Sequence, residues 1–254
     1  MNKLKSRLKE LSRTPVLLVA SDFDGTLSPL ASEPSLAKPN REAIEALHAL
    51  STMPQTHVAI ISGRSLRDLS SLAGFNDKVH LVGSHGGEFG AGFDNTLDAA
   101  QVALRDRVHK ELLVIAAKGK GFFVEEKPAG VALHFRLADE RLGKAAVEAV
   151  LRGPANNPGV HVKHGKQVIE LSVISTNKGM AFTSIRRRVG ATAAIFIGDD
   201  ESDEDAFAIL SDPDVGVKVG EEPTKASFRI ADTSEVASVL STLVGLREIW
   251  LEKS

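Results

Sequence analysis

Two short, unbroken apolar runs in this chain each end in acids. VLLVA at 16–20 runs into SDFDG, and AAIFI at 193–197 runs into GDDESDEDAF. Apolar residues without a polar alternate suit strands buried on both faces, as in a parallel sheet covered by helices. Two such strands in one sheet would carry Asp22, Asp24, Asp199 and Asp200 to a single edge. Converging carboxylates repel unless a cation lies between them, and oxygen donors select a hard ion, most simply Mg2+. A carboxylate site holding such an ion suits a phosphate group.

The flanks of the chain keep the same alternation. Pro39-Asn40 opens a helix with Ile44, Leu47 and Leu50 at helical spacing, followed by a strand at 58–61, a helix at 65–72 and a strand at 79–82. From Lys178 onward a helix carries Ala181, Ile185 and Val189 on one side. The strand at 193–197, a helix at 203–210, short strands at 215–219 and 228–231, and a last helix at 234–250 follow. This order predicts an α/β fold, a Rossmann-like parallel sheet with helices on both faces. The middle differs. Leu97, Leu104, Val108, Leu112 and Ile115 mark a long amphipathic helix, and hairpin-like segments at 121–136 and 160–173 flank a helix near 139–151. Lys127-Pro128-Ala129-Gly130 and His164-Gly165-Lys166 supply the turns. An α+β insert at 98–174, between core segments 1–97 and 175–254, is the expected division.

Bulk properties narrow the partners. With 31 basic and 33 acidic side chains the formal charge is −2, which gives no global field toward nucleic acid or membrane. The chain has no cysteine, so disulfides and thiolate metal sites are excluded. The first fifteen residues are basic and amphipathic, and the apolar run after them is too short for a signal segment or a membrane span. The expectation is a cytoplasmic monomer acting on a small molecule.

Several residues could carry chemistry. A carboxylate at a strand end, Asp22, can attack phosphorus in line, and Asp24, two residues on, can protonate the departing alkoxide and then activate water. Gly25 permits the turn that folds Asp24 back. Ser62-Gly63-Arg64 follows the 58–61 strand, where a hydroxyl and backbone N–H groups can hold phosphoryl oxygens or simply cap a helix. Lys178 can neutralise the transferred group. Asp199 is the preferred metal ligand of the second run, with Asp200 and Asp203 in support, although acids at a helix start are also favoured by its dipole. In the insert, alternation puts Val131, Leu133 and Phe135 on one strand face and His134 and Arg136 on the other, while Glu170 opposes Ile169 and Leu171. A face bearing His134, Arg136 and Glu170 suits a hydroxyl-rich ligand, or is merely solvated.

In this order the DFDGT, SGR, NKG and GDDESDE strings resemble the haloacid dehalogenase superfamily of phosphotransferases. The resemblance implies Asp22 as nucleophile, Asp24 as general acid/base, and Ser62 and Lys178 as phosphoryl ligands. It implies Mg2+ held by Asp22, the Asp24 carbonyl and Asp199, and it makes the insert a cap that sets substrate specificity. VEEKPAGVALHFR, GKQVIEL, GSHGGE and the tail from VKVGEEPTKASF are similar to the trehalose-6-phosphate phosphatase family. That implies hydrolysis of trehalose 6-phosphate, the final step of trehalose biosynthesis, with Glu126, Lys127, Arg136, Lys166 and Glu170 gripping the sugar and His85 and Glu88 near the cleft. Core and insert would consume the 254 residues and leave no room for a fused synthase. The chain departs from the family's wording at Ser172-Val173, Ser175-Thr176-Asn177, Glu201-Ser202 and Phe135. Open alternatives are another sugar phosphate, such as sucrose 6-phosphate or a glucosylglycerol-type phosphate, a phosphomutase, or a sensor that binds without turnover.

Overall fold

The computed structural model describes residues 2–31, 33, 36–75, 77–90, 97–165 and 167–253. It divides into two compact units, Met1–Phe93 with Thr176–Ser254, and Asp94–Ser175. The basic, amphipathic start of the chain forms helix α1 (Asn2–Leu11), which buries Leu4, Leu8 and Leu11. Strand β1 (Leu17–Ser21) follows, then α2 (Arg41–Thr52), β2 (Thr56–Ile61), α3 (Leu66–Ala73), β3 (Val79–Gly83) and the two-residue β4 (Glu88–Phe89). The insert runs α4 (Ala99–Ala116), β5 (Phe123–Lys127), β6 (Gly130–His134), α5 (Glu140–Arg152), β7 (His161–Gly165) and β8 (Val168–Ser172). The first unit resumes with α6 (Lys178–Val189), β9 (Ala193–Gly198), α7 (Glu204–Phe207), β10 (Val215–Val219), β11 (Phe228–Ile230) and α8 (Thr233–Leu251). No helix among the described residues is long and apolar enough to cross a membrane.

In the first unit the strand order is β11-β10-β9-β1-β2-β3-β4, parallel except for the antiparallel β3–β4 edge. Both faces are covered. Leu17, Val19, Val58, Ile60, Ile195 and Ile197 pack with residues of α1, α2 and α8, while Leu18, Ala20, Ala59, Ile61, Ala194 and Phe196 pack with α6 and α7. Every residue of β1 and β9 is buried, which is why neither shows a polar alternate. These two strands are neighbours in register, Leu17 beside Ala193 and Ser21 beside Ile197. The ladder extends one step further, with the Asp22 N–H donating to the Ile197 carbonyl at 2.9 Å. The two acidic segments therefore leave the sheet side by side.

The second unit is an antiparallel sheet of order β5-β6-β8-β7. One of its faces packs Val131, Leu133, Ile169 and Leu171 against Val108, Leu112 and Ile115 of α4 and Ala146 and Val150 of α5. The expected helix at 203–210 is shorter than predicted. A 3-10 turn at Glu201–Asp203 precedes the four-residue α7, and it turns the Asp203 carboxylate into the interior.

Candidate active site

Asp22 emerges from β1 into a buried position where one carboxylate oxygen lies 2.9 Å from the Lys178 ammonium. Lys178 is the first residue of α6, whose N-cap Asn177 accepts the Met180 N–H, and is only 2 % exposed. Its ammonium also sits 2.7 Å from Asp203, which is fully buried. The second oxygen of Asp203 accepts the Asp200 N–H at 2.9 Å. Asp199 enters from β9, with one oxygen accepting the Thr26 hydroxyl at 3.0 Å. Asp22, Asp199 and Asp203 present carboxylate oxygens within 4.8 Å of one another. Gly25 makes this approach possible. It has φ +82°, and a Cβ there would lie 2.0 Å from an Asp199 oxygen.

The electrostatics are unbalanced. Burial pushes the Asp22 carboxyl well above its ordinary value; Lys178 pulls it down, and Asp203 and Asp199 push it further up. Burial likewise raises Asp199, helped by Asp203 and opposed by the Thr26 hydroxyl. Burial alone would lower Lys178, but Asp203 and Asp22 more than offset it and hold the ammonium protonated. At an effective dielectric of about 20, two ionised carboxylates at this spacing repel by roughly 3 kcal/mol. One lysine cannot neutralise three acids, and the oxygen-only donor set suits a hard divalent cation. Both Asp203 oxygens are already bonded, whereas Lys178 and Thr26 each engage a single oxygen of Asp22 and Asp199, which makes these two the better-placed metal donors. Asp24 is expected at the metal through its carbonyl oxygen, and its carboxylate is separately held by Arg64; the exposed Asp200 carboxylate caps the next turn through the Glu201 N–H at 2.7 Å.

Arg64 grips Asp24 with two bonds of 2.6 Å and lies over the Phe23 ring, 5.4 Å from its centre. Ser62 is buried at the end of β2, where its hydroxyl accepts the Arg64 N–H at 3.2 Å. The helix cap is Ser65, which accepts the Asp68 N–H, so Ser62 is not the cap. The His85 imidazole lies against Gly63, where a Cβ would meet its Nε2 at 2.6 Å. Glu88 braces this turn. It takes the Ser84 hydroxyl on one oxygen and the Leu66 N–H on the other, beside two residues at positive φ, Ser84 and His85.

In the insert, register decides which side chains share a face. Glu125, Ala132, Glu170 and Lys163 stand opposite one another, as do Phe123, His134 and Val168. On this face Glu125 bonds His134 at 2.8 Å, and buried Lys127 bonds Glu170 at 2.6 Å. Burial pushes the Glu125 carboxyl up, but the His134 bond and Lys127 leave it below its usual range. Two expectations need correction. Glu126 pairs with Val131 on the opposite face and approaches His109 of α4 at 3.8 Å, because consecutive strand residues point to opposite sides. The acid on the polar face is Glu125. Arg136 lies beyond the end of β6 in an exposed turn and is not part of the strand face. Lys166 falls outside the described residues.

Sequence reasoning missed Thr26, Glu125 and Lys218. A two-residue spacing from Lys127 was the available signal for Glu125. For Lys218, a single lysine inside the run VGVKV, there was none; its ammonium is 2.6 Å from the Asp199 carbonyl oxygen.

Known proteins resemble this chain over most of its length. The trehalose-phosphatase family model matches residues 20–234. A trehalose-phosphate phosphatase of Mycobacterium ulcerans is 35 % identical over 271 residues, covering 96 % of this chain and 68 % of the relative. A bifunctional trehalose-6-phosphate synthase/phosphatase of Thermoproteus tenax is 32 % identical over 248 residues, and there this chain spans 33 % of the relative's length against 96 % of its own. Among solved structures, the C-terminal domain of a C. albicans trehalose-6-phosphate phosphatase superposes with a TM-score of 0.77 at 25 % identity, over 96 % of this chain and 97 % of that one. A haloacid dehalogenase-like hydrolase from Bacteroides thetaiotaomicron shares the fold at a TM-score of 0.67 and 16 % identity, over 89 % and 98 % of the two chains.

Proposed function

This chain belongs to the trehalose-phosphatase family, and we propose that it hydrolyses trehalose 6-phosphate to trehalose and inorganic phosphate, the closing step of trehalose biosynthesis. The observation that carries this reading is Asp22, buried at a strand end beside Lys178, with a second carboxylate two residues on. An Asp22 oxygen attacks phosphorus and the bond to the sugar oxygen breaks, giving an aspartyl phosphate. Asp24 supplies the proton that the leaving alkoxide needs, then takes one from the water that cleaves the intermediate and regenerates Asp22. Lys178, the Ser62 hydroxyl and backbone N–H groups following β2 balance charge on the phosphoryl oxygens. Asp203 orients Lys178 through its 2.7 Å contact.

Mg2+ fits Asp22 and Asp199, of which Lys178 and Thr26 each engage one oxygen, and bound there it would neutralise both the acids and the phosphoryl charge. Sugar recognition is assigned to the polar face of the insert's sheet. Its Glu125–His134 hydrogen bond and Lys127–Glu170 ion pair offer both donors and acceptors to hydroxyl groups. The test is phosphate release across trehalose 6-phosphate, sucrose 6-phosphate, a glucosylglycerol-type phosphate and glucose 6-phosphate, with and without Mg2+. Metal-dependent release fastest from trehalose 6-phosphate is expected. Preference for another sugar would reassign the substrate, and binding without release would make the protein a sensor.

A further inference from the structure

We propose that Lys218 is a positioning residue for the acidic turn, acting through the Asp199 main chain; the inference rests on the metal reading above. Lys218 is 1 % exposed near the end of β10, where it pairs in register with Gly198, the last residue of β9. Its ammonium donates to the Asp199 carbonyl at 2.6 Å and reaches the Asp200 carbonyl at 3.4 Å. Glu204 lies 3.9 Å away, with a buried oxygen that has no hydrogen-bond partner among the described residues, while its other oxygen accepts the Lys225 N–H. Burying an ammonium costs several kcal/mol, far more than two neutral carbonyl bonds need. A role confined to tying a loop would be met by water or a hydroxyl.

What distinguishes this lysine is where its bonds fall. Two buried lysines from different elements hold one five-residue turn. Lys178 of α6 holds it through the Asp203 side chain, and Lys218 of β10 holds it through the peptide groups of Asp199 and Asp200. Asp203 closes the turn by accepting the Asp200 N–H. With both peptide carbonyls fixed, the Asp199 side chain has only its own rotation left, and the Thr26 hydroxyl takes up one of its oxygens. Loss of the Lys218 bonds would leave Asp22 in place on the sheet and let Asp199 drift from it. A displacement of about 1 Å at a reacting centre can cost on the order of 100-fold in rate.

The experiment uses the full chain as wild type, Lys218→Met and Lys218→Arg, with Mn2+ as a spectroscopic probe. For Lys218→Met we expect kcat to fall about 10- to 100-fold, the range for partners that orient metal ligands. KM for the sugar phosphate should stay within about twofold, because the variant does not touch the sugar face. Pulsed electron paramagnetic resonance should find more water on the bound Mn2+ as Asp199 withdraws, and Lys218→Arg should recover part of the rate. A purely structural lysine would lower Tm yet leave kcat and the Mn2+ water count of the folded protein unchanged, and that result would overturn the proposal. Should Lys218→Met fail to fold, nitrogen-15 labelling of lysine in the wild type decides: the Lys218 ammonium resonance should shift on Mg2+ addition, and an unmoved resonance overturns the inference. A wild type that binds no Mn2+ would overturn the metal reading and this inference with it. A wild type that binds Mn2+ beside an indifferent Lys218→Met protein would overturn the inference alone.

Discussion

The two units solve different problems with charged residues. In the parallel unit three acids are driven together and left unbalanced: Asp22 and Asp199 are both pushed up by burial and by Asp203, with one ammonium between Asp22 and Asp203. On the polar face of the antiparallel unit the acids are already bonded side chain to side chain, Glu125 with His134 and Glu170 with Lys127. Unbalanced charge is held in place by backbone, through adjacent strand ends and a glycine that admits no side chain. On the antiparallel sheet the contacts run side chain to side chain between strands, with Lys127 and Glu170 themselves buried. The proposed site for chemistry and the proposed sugar face thus place their acids in opposite electrostatic settings.

The largest expected effect breaks the comparison on the chemical side. Asp22→Asn should reduce phosphate release by roughly 10⁴-fold or more, as loss of a nucleophile does. Rapid acid quench should trap phosphate on the wild type alone; an unlabelled wild-type Asp22 under single turnover would remove the covalent route. Gly25→Ala comes next. Its Cβ would lie 2.0 Å from an Asp199 oxygen, so kcat should drop on the order of 100-fold. A rate near wild type would mean that the carboxylates need not be so close.

On the selective side, Glu170→Gln should raise KM for trehalose 6-phosphate about tenfold, roughly 1.4 kcal/mol, while hydrolysis of p-nitrophenyl phosphate stays within about twofold. Equal losses on both substrates would show that the polar face serves the chemistry rather than the sugar. A fourth experiment sharpens the charge contrast through pH. The folded pKa of Asp199 lies above its ordinary value near 3.8, so the folded state binds that proton more tightly than the unfolded chain and loses stability as the group ionises. Without metal, the Tm of Asp199→Asn should match wild type near pH 3, exceed it as pH rises past about 3.8 and level off once pH passes the raised folded pKa, and Mg2+ should reverse the order at pH 7. Calorimetry showing a constant offset would place the strain elsewhere. The smallest effect belongs to Glu126→Gln, which should change KM less than about twofold beside a clear loss in Glu125→Gln, because the two acids face opposite ways. Reversed magnitudes would return Glu126 to the sugar.

Much of the parallel unit was legible because burial on both faces forces an unmistakable composition. The runs at 16–20 and 193–197 could be little else, and β10 matches its predicted span of 215–219. The four-residue α7 was not legible, since the acids at its start look equally like a solvated helix terminus. Glu126 was expected at the sugar from the family resemblance alone, with nothing in strand phase to check it. The stretch Val124 to Lys127 has no strict polar–apolar alternation, so its phase is decided only by pairing with β6. Lys218 resembles any strand lysine until β9 is laid beside it.

Taken alone, the order of residues determined which chemistry was available: an acid two positions before another acid at a strand end, a lysine opening a helix, and a second acidic run after a second apolar strand. These are properties of local composition and period, and they survive any arrangement of the chain. Tertiary structure alone decided which acids meet, that Asp203 holds Lys178 while Asp200 caps a turn, and that Glu125 rather than Glu126 faces His134. Such choices depend on register between segments far apart in the chain, and a shift of one residue reverses every side chain.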